Sequence, residues 1–272
     1  MSLHEEKKKI TVPDIVRMKA TRTPIAALTA YDALMASLLD ESGIDLILVG
    51  DSAAMVMAGH DTTLPITMEQ MLYHVQCVRR GVSRALLVAD MPFLSYQISR
   101  EDAIRNAGRF MKEGGAEAVK IEGGEAVVPL IERLVAIGIP VMGHLGLVPQ
   151  SIHRFGTYKL QGKDPKDAKR IKKEAKMLQE AGVFSLVLEK VPASLAKEIT
   201  EELSIPTIGI GAGPHCDGQI LVTHDMLGMF DKFKPKFVRR YAELAGTMRH
   251  AFRAYIQDVR SGDFPGAEES YE

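Results

Sequence analysis

The run Asp45-Leu46-Ile47-Leu48-Val49-Gly50-Asp51-Ser52 is a short apolar strand that stops on a glycine, a carboxylate and a hydroxyl, and the chain repeats this plan. Apolar runs closed by an acid recur at 85–90, ending on Asp90, at 118–122, ending on Glu122, and at 185–189, ending on Glu189. One such acid says little, because Asp commonly caps the helix that follows a strand. Four at related intervals say more. Asp51 to Asp90 is 39 residues, Asp90 to Glu122 is 32, and Glu122 to Glu189 is 67, room for two units around a further strand at 139–144. Those intervals suit repeated βα units of roughly 30 residues or more. If the strands are parallel, all four acids collect at one end of the sheet, the end at which α/β sheets and barrels bind ligands.

The chain has 272 residues, close to the roughly 250 of one (β/α)8 barrel. The expectation is therefore an α/β fold, a (β/α)8 TIM barrel forming a single domain over 1–272, with a short N-terminal helix and a disordered C-terminal tail. Strands are read at 25–30, 45–50, 85–90, 118–122, 139–144, 185–189, 206–210 and 220–222, with Asp217-Gly218-Gln219 as the turn before the last. Asp32 reads as a helix N-cap, Thr67 with Gln70 as a capping box, and 235–259 as the closing helix. Two stretches lose both periods. Residues 52–67 read as a long loop, and the polar segment 149–163, with Arg154, Gly156, Tyr158 and Lys159, reads as a mobile lid or a partner contact.

Charge narrows the function classes. Lys plus Arg number 34 against 35 Asp plus Glu, a formal net charge of -1, so no basic excess points to nucleic acid or an anionic membrane. No apolar run approaches the roughly 20 residues of a membrane span, and the charged start at 5–9 does not read as a secretory leader. The two cysteines, Cys77 and Cys216, have no metal-ligand spacing and suit a reducing cytoplasm. The expected partner is a small molecule.

Asp51, Asp90 and Glu122 offer hard oxygen donors with one histidine, His144, on a neighbouring strand. That set suits Mg²⁺ better than zinc. Lys120 lies two residues before Glu122, so both side chains share a face. Either it snorkels outward or it is buried as an ion pair or anion site, and the carboxylate beside it favours the second. With Ser52, such a site would bind a chelating 2-oxo acid, whose neighbouring C–H a metal would acidify. Glu189, two strands away, is the candidate general base. Gly211-Ala212-Gly213 lacks the spacing of a dinucleotide fingerprint, which leaves phosphate binding by a non-catalytic barrel as one alternative. Another is a Mg²⁺-dependent lyase or mutase that forms an enolate from a different oxo acid.

Leu28-Thr29-Ala30-Tyr31-Asp32, Val49-Gly50-Asp51-Ser52, Gly59-His60-Asp61-Thr62-Thr63-Leu64-Pro65, Ala89-Asp90-Met91-Pro92-Phe93, Val119-Lys120-Ile121-Glu122-Gly123-Gly124, Gly143-His144-Leu145-Gly146-Leu147, Val187-Leu188-Glu189 and Gly209-Ile210-Gly211-Ala212-Gly213 together resemble the ketopantoate hydroxymethyltransferase family over nearly the whole chain. The resemblance implies a (β/α)8 barrel with one Mg²⁺ per subunit at Asp51 and Asp90, and Glu122 as the third acidic position. It implies an oxo acid, 3-methyl-2-oxobutanoate, contacting Asp51, Ser52, Asp90 and Lys120, with Glu189 as proton acceptor; His144 is added as a substrate-binding candidate. It further implies 5,10-methylenetetrahydrofolate as one-carbon donor, 2-dehydropantoate as product, and a homo-oligomer, typically a decamer. Two positions depart from the family pattern: Thr157 stands where a second glycine is usual, and Lys190 where a small or apolar residue is common.

Overall fold

The computed structural model describes residues 8–230 and 234–271, so the charged start at 5–7 and the final Glu272 lie outside the described residues. The chain divides into two compact units, Met1–Leu221 and Val222–Glu272.

The first unit is a closed barrel of eight parallel strands in sequence order: β1 Ile25–Thr29, β2 Leu46–Val49, β3 Leu86–Asp90, β4 Ala118–Glu122, β5 Val141–Gly146, β6 Ser185–Glu189, β7 Thr207–Ile210 and β8 Gly218–Leu221, with β8 pairing back onto β1. Around it run α1 Val12–Ala20, α2 Ala33–Glu41, a single turn α3 Ala53–Val56, α4 Met68–Gly81, α5 Arg100–Lys112, α6 Val128–Ala136, a second single turn α7 Ile152–Phe155, α8 Pro165–Glu180 and α9 Ala193–Glu202. Strands β2 to β5 are buried at every position, as expected of parallel strands covered on both faces.

Because successive side chains alternate faces, each strand feeds two cores. One set packs outward against the helices, as Ile47, Leu87, Val119, Ile121 and Leu186 do. The other fills the barrel interior with Leu46, Leu48, Leu86, Val88, Ala118, Met142 and Ile208, and Ile15 of α1 plugs its floor. Continuing the inward set by steps of two leads from Leu86 and Val88 to Asp90, from Ala118 to Lys120 and Glu122, from Met142 to His144, and from Val187 to Glu189. The interior thus changes from apolar to ionisable toward the C-terminal ends of the strands.

Local sequence explains the helix starts. Asp32 accepts from the Met35 amide at 2.8 Å, and Thr67 with Gln70 closes a capping box, both as read from the sequence. The end of α2 is tied to the start of β3 by Asp40, whose buried carboxylate accepts from the Ser83 amide at 3.1 Å and hydroxyl at 2.7 Å, the Arg84 amide at 3.0 Å and the Ala85 amide at 2.7 Å.

The structure corrects several boundaries. Gly218 and Gln219 are not a turn but the first residues of β8, which ends at Leu221; Gly218 lies against Ile25, where a Cβ would stand 2.5 Å from the carbonyl oxygen. The loop after β2 contains α3, and the segment after β5 begins with a 3-10 turn, Pro149–Ser151, before α7. Residues 125–127 form a separate 3-10 turn ahead of α6, whose second residue is Pro129.

The second unit carries a one-turn helix α10, Thr223–Met226, and α11, Leu244–Ser261, which replaces the expected 235–259 helix. No residue of α11 is buried, and Met248, Phe252, Tyr255, Ile256 and Val259 are exposed. The tail expected to be disordered carries a turn, with the Ser270 hydroxyl donating to the Gly266 carbonyl at 2.7 Å. No helix among the described residues is long and apolar enough to cross a membrane, and Cys77 and Cys216 are both free.

Candidate active site

Register brings the ionisable positions together. Asp90 pairs with Lys120 and Glu122 pairs with His144 across neighbouring strands. Asp51, just past β2, donates its amide to Asp90 Oδ2 at 3.2 Å. Lys120 Nζ lies 2.9 Å from Asp90 Oδ1 and 3.4 Å from Glu122 Oε1, so the lysine is a buried pair and does not snorkel outward. His144 Nδ1 is 3.2 Å from both Glu122 Oε1 and Lys120 Nζ, and Nε2 is 3.4 Å from Glu189 Oε2. Asp51, Asp90, Lys120, Glu122 and His144 are all buried, and the Glu189 side chain is partly open. Ser52 sits beside Asp51 in the chain with its hydroxyl 2.8 Å from that of Tyr31.

Electrostatics follow from this packing. Burial, then repulsion from Asp90 and Glu122, drives Asp51 well above the ordinary carboxylate range. Burial likewise raises Asp90, although Lys120 opposes it. For Glu122 burial also pushes upward, but Lys120, His144 and the Gln150 amide outweigh it and hold the acid low. Burial would discharge Lys120, yet Asp90, Glu122 and Asp51 together raise its affinity for the proton. His144 is raised to about 9: burial and Lys120 push it down, and Glu122 and Glu189 prevail. Glu122 Oε1 faces both Lys120 Nζ and His144 Nδ1, and so offsets positive charge on the two groups, whose nitrogens lie 3.2 Å apart.

Two residues of this cluster escaped the sequence reading. Gln150, in the 3-10 turn after β5, donates from Nε2 to Asp51 Oδ2 at 3.0 Å and to the Met91 carbonyl at 2.8 Å, and from its amide to Glu122 Oε2 at 3.1 Å. Tyr96 donates its hydroxyl to Gln150 Oε1 at 2.7 Å. The signal available was thin, a polar residue after Pro149 in a stretch without periodicity. A cavity of about 780 Å³ adjoins the cluster, sharing Glu122 and Gln150 and lined further by Phe93, Tyr96, Arg154 and Gln161.

The two departures lie at the edge of this region. Lys190 has a left-handed backbone, φ 46°, and its Nζ donates to the Tyr158 carbonyl at 2.8 Å and stands 5.7 Å from the centre of the Tyr158 ring. Its own carbonyl accepts from the Gln161 amide at 2.8 Å. Thr157 is exposed within the same segment, whereas His60 and Asp61 are exposed and joined by no hydrogen bond to the acids. Gly211 and Gly213 both have positive φ, and Gly213 lies against Ala193.

The acids fit a hard divalent cation by donor type: Asp51 and Asp90 are both buried and joined through the Asp51 amide, and the repulsion that Asp90 exerts on Asp51 is the kind a cation offsets. Among the described residues no three His, Cys, Asp or Glu groups already converge as a ligand cage. Both Glu122 oxygens are engaged, Oε1 by Lys120 and His144 and Oε2 by the Gln150 amide.

A closed (β/α)8 barrel with buried acids, a lysine and a histidine at the C-terminal ends of its strands defines an enzyme of the barrel class. Solved structures similar to it include 2,3-dimethylmalate lyase, a PEP mutase/isocitrate lyase superfamily member, with TM-score 0.60 and 16% identity over 96% of this chain and 91% of that one. Phosphonopyruvate hydrolase in complex with oxalate and Mg²⁺ matches with TM-score 0.62 and 12% identity, covering 96% and 93%. At such identities the likeness is one of fold. The sequence profile of ketopantoate hydroxymethyltransferase matches residues 9–267. The 3-methyl-2-oxobutanoate hydroxymethyltransferase of Prosthecochloris aestuarii is 56% identical over 266 residues, 96% of each chain, and that of Pelobacter propionicus 55% identical over 269 residues, 99% of this chain and 100% of the other. The chain belongs to the ketopantoate hydroxymethyltransferase family and is a transferase acting on small molecules.

Proposed function

We propose that this chain transfers a one-carbon unit from 5,10-methylenetetrahydrofolate to C3 of 3-methyl-2-oxobutanoate, with one water consumed, giving 2-dehydropantoate on the way to pantothenate and coenzyme A. Supporting it is the name carried by relatives more than half identical in sequence. The observation that carries the chemistry is the gathering of Asp51, Asp90, Lys120, Glu122, His144 and Glu189 at one end of the barrel.

Asp51 and Asp90 would hold one Mg²⁺, with Glu122 the third acidic group beside them. Bound there, the cation would act as a Lewis acid toward the ketone oxygen and make the C3 proton easier to remove. Lys120 supplies a fixed positive charge for the oxo acid's carboxylate, already balanced by Asp90 and Glu122. Ser52 and His144 complete the substrate contacts. Glu189 takes the C3 proton: His144 holds one of its oxygens at 3.4 Å, leaving the other to accept. Water cleaves the methylene carbon from both nitrogens of the donor, which leaves as tetrahydrofolate, and the carbon so exposed attacks that one-carbon unit at the formaldehyde level. The new C–C bond leaves the unit's oxygen as an alkoxide, which takes a proton to become the product's hydroxyl.

A homo-oligomer, a decamer by family resemblance, is part of this reading, and the uncovered apolar residues of α11 support self-association. Cytoplasmic placement agrees with two free cysteines.

The test is hydrogen exchange at C3 of 3-methyl-2-oxobutanoate in D₂O, with Mg²⁺ and without folate, followed by NMR. Exchange that stops on chelation is expected. Absence of exchange in a preparation whose fold is intact would overturn the assignment.

A further inference from the structure

We propose that Gln150 is a positioning residue that fixes Asp51 in the orientation a cation requires; the proposal rests on the reading of Asp51 as a metal ligand. Gln150 is only 5% exposed and is hydrogen-bonded through every polar group of its side chain. Its two amide hydrogens go to Asp51 Oδ2 at 3.0 Å and the Met91 carbonyl at 2.8 Å, and Oε1 accepts from Tyr96 at 2.7 Å and Gln97 at 3.2 Å. That arrangement fixes which way the amide points. Flipped, its oxygen would face two acceptors, Asp51 Oδ2 and the Met91 carbonyl, and its NH₂ would face the Gln97 amide.

Three consequences follow. One oxygen of Asp51 is committed to the protein, so its other oxygen is the one left for a cation. The Asp51 amide in turn holds Asp90 Oδ2, so Gln150, Asp51 and Asp90 form one hydrogen-bonded chain across β2 and β3. The backbone amide of Gln150 also holds Glu122 Oε2, so a single residue after β5 holds one carboxylate just past β2 and another at the end of β4. Hydrogen-bond partners of metal ligands are commonly worth about 10–100-fold in metal affinity, and Gln150 occupies that place.

The experiment measures Mg²⁺ binding by calorimetry, and Mn²⁺ binding by electron paramagnetic resonance, in the folded full-length enzyme. Gln150→Met keeps the length and loses the amide, and should weaken both metals by about 10–100-fold. C3 exchange at saturating metal should recover most of its rate, so the defect lies in the metal concentration needed. The bound Mn²⁺ spectrum should change as well, a readout that general loosening of the fold would not produce. Should Gln150→Met fail to fold, Gln150→Asn keeps the amide on a stem too short to reach Asp51, and the same loss is expected. Metal affinity within twofold of wild type in these variants, alongside lost affinity in Asp51→Asn, overturns the role of Gln150 alone. Unchanged affinity in Asp51→Asn overturns the metal-ligand reading and this proposal with it.

Discussion

His144 Nε2 stands 3.4 Å from Glu189 Oε2, a contact between the inward faces of adjacent strands β5 and β6. A carboxylate held on one side by an imidazole is restrained in direction, which suits the proton acceptor proposed at this position. Glu189→Gln should therefore keep oxo-acid and Mg²⁺ binding within a few-fold and slow C3 exchange by roughly 10²–10⁴-fold, the usual contribution of a positioned base. Exchange at the wild-type rate in that variant would remove Glu189 from the role.

In the proposed metal site Asp90 should count as much as Asp51. Asp90→Asn is expected to reduce Mg²⁺ affinity at least tenfold, on the order of 1.4 kcal/mol or more. Titration calorimetry gives the number directly, and an unchanged isotherm would count against Asp90 as a ligand.

Lys120 lies between Asp90 and Glu122, both buried. Removing one member of a buried ion cluster strands the others, so Lys120→Met should lower stability by about 3–5 kcal/mol. Mg²⁺ would replace part of the missing positive charge. Thermal melts should show a larger Mg²⁺-induced rise in Tm for the variant than for wild type; equal rises would argue that the lysine and the cation do not share carboxylates.

Asp40 gives a pH signature away from the active site. Burial pushes its carboxyl upward, but the donors at Ala85, Ser83 and Arg84 outweigh that and hold it below the ordinary value of 3.8. A carboxylate depressed in the folded state stabilises fully above its unfolded pKa and loses that contribution as pH falls through the folded one. Asp40→Ala should cost about 3 kcal/mol at pH 7, as expected for hydrogen bonds to a charged acceptor. Denaturant melts should show the wild-type advantage constant from about pH 7 to 5 and shrinking below about pH 4; an advantage that grows on acidification would refute the assignment.

The barrel was legible because its strands are short apolar runs ended by acids, and because the period of two carries straight through them. Lys120 and Glu122 could be placed on one face from spacing alone. That Lys120 also reaches Asp90 needed the register, which one strand cannot reveal. Gly218 and Gln219 were misplaced because local propensity favours a turn there, whereas pairing with β1 and β7 makes them strand. Gln150 and Tyr96 stayed hidden for a related reason. Their importance lies in what they meet, residues 54 positions apart in the chain joined by a 2.7 Å hydrogen bond, and neither sits in a periodic segment.

Lys190 turns left-handed directly after Glu189, with φ 46° where a side chain makes that conformation unfavourable. The twist lets one residue grip the segment after β5 twice, by its ammonium at Tyr158 and by its carbonyl at Gln161. The segment at 158–161 is thereby fastened at two points to the residue that follows Glu189, so displacing it must break both contacts or move the backbone next to Glu189. Lys190→Gly removes the ammonium's hold on Tyr158 and leaves the carbonyl's hold on Gln161, so limited proteolysis should cut the 158–161 segment faster in that variant than in wild type; equal rates would show that the side chain does not secure it.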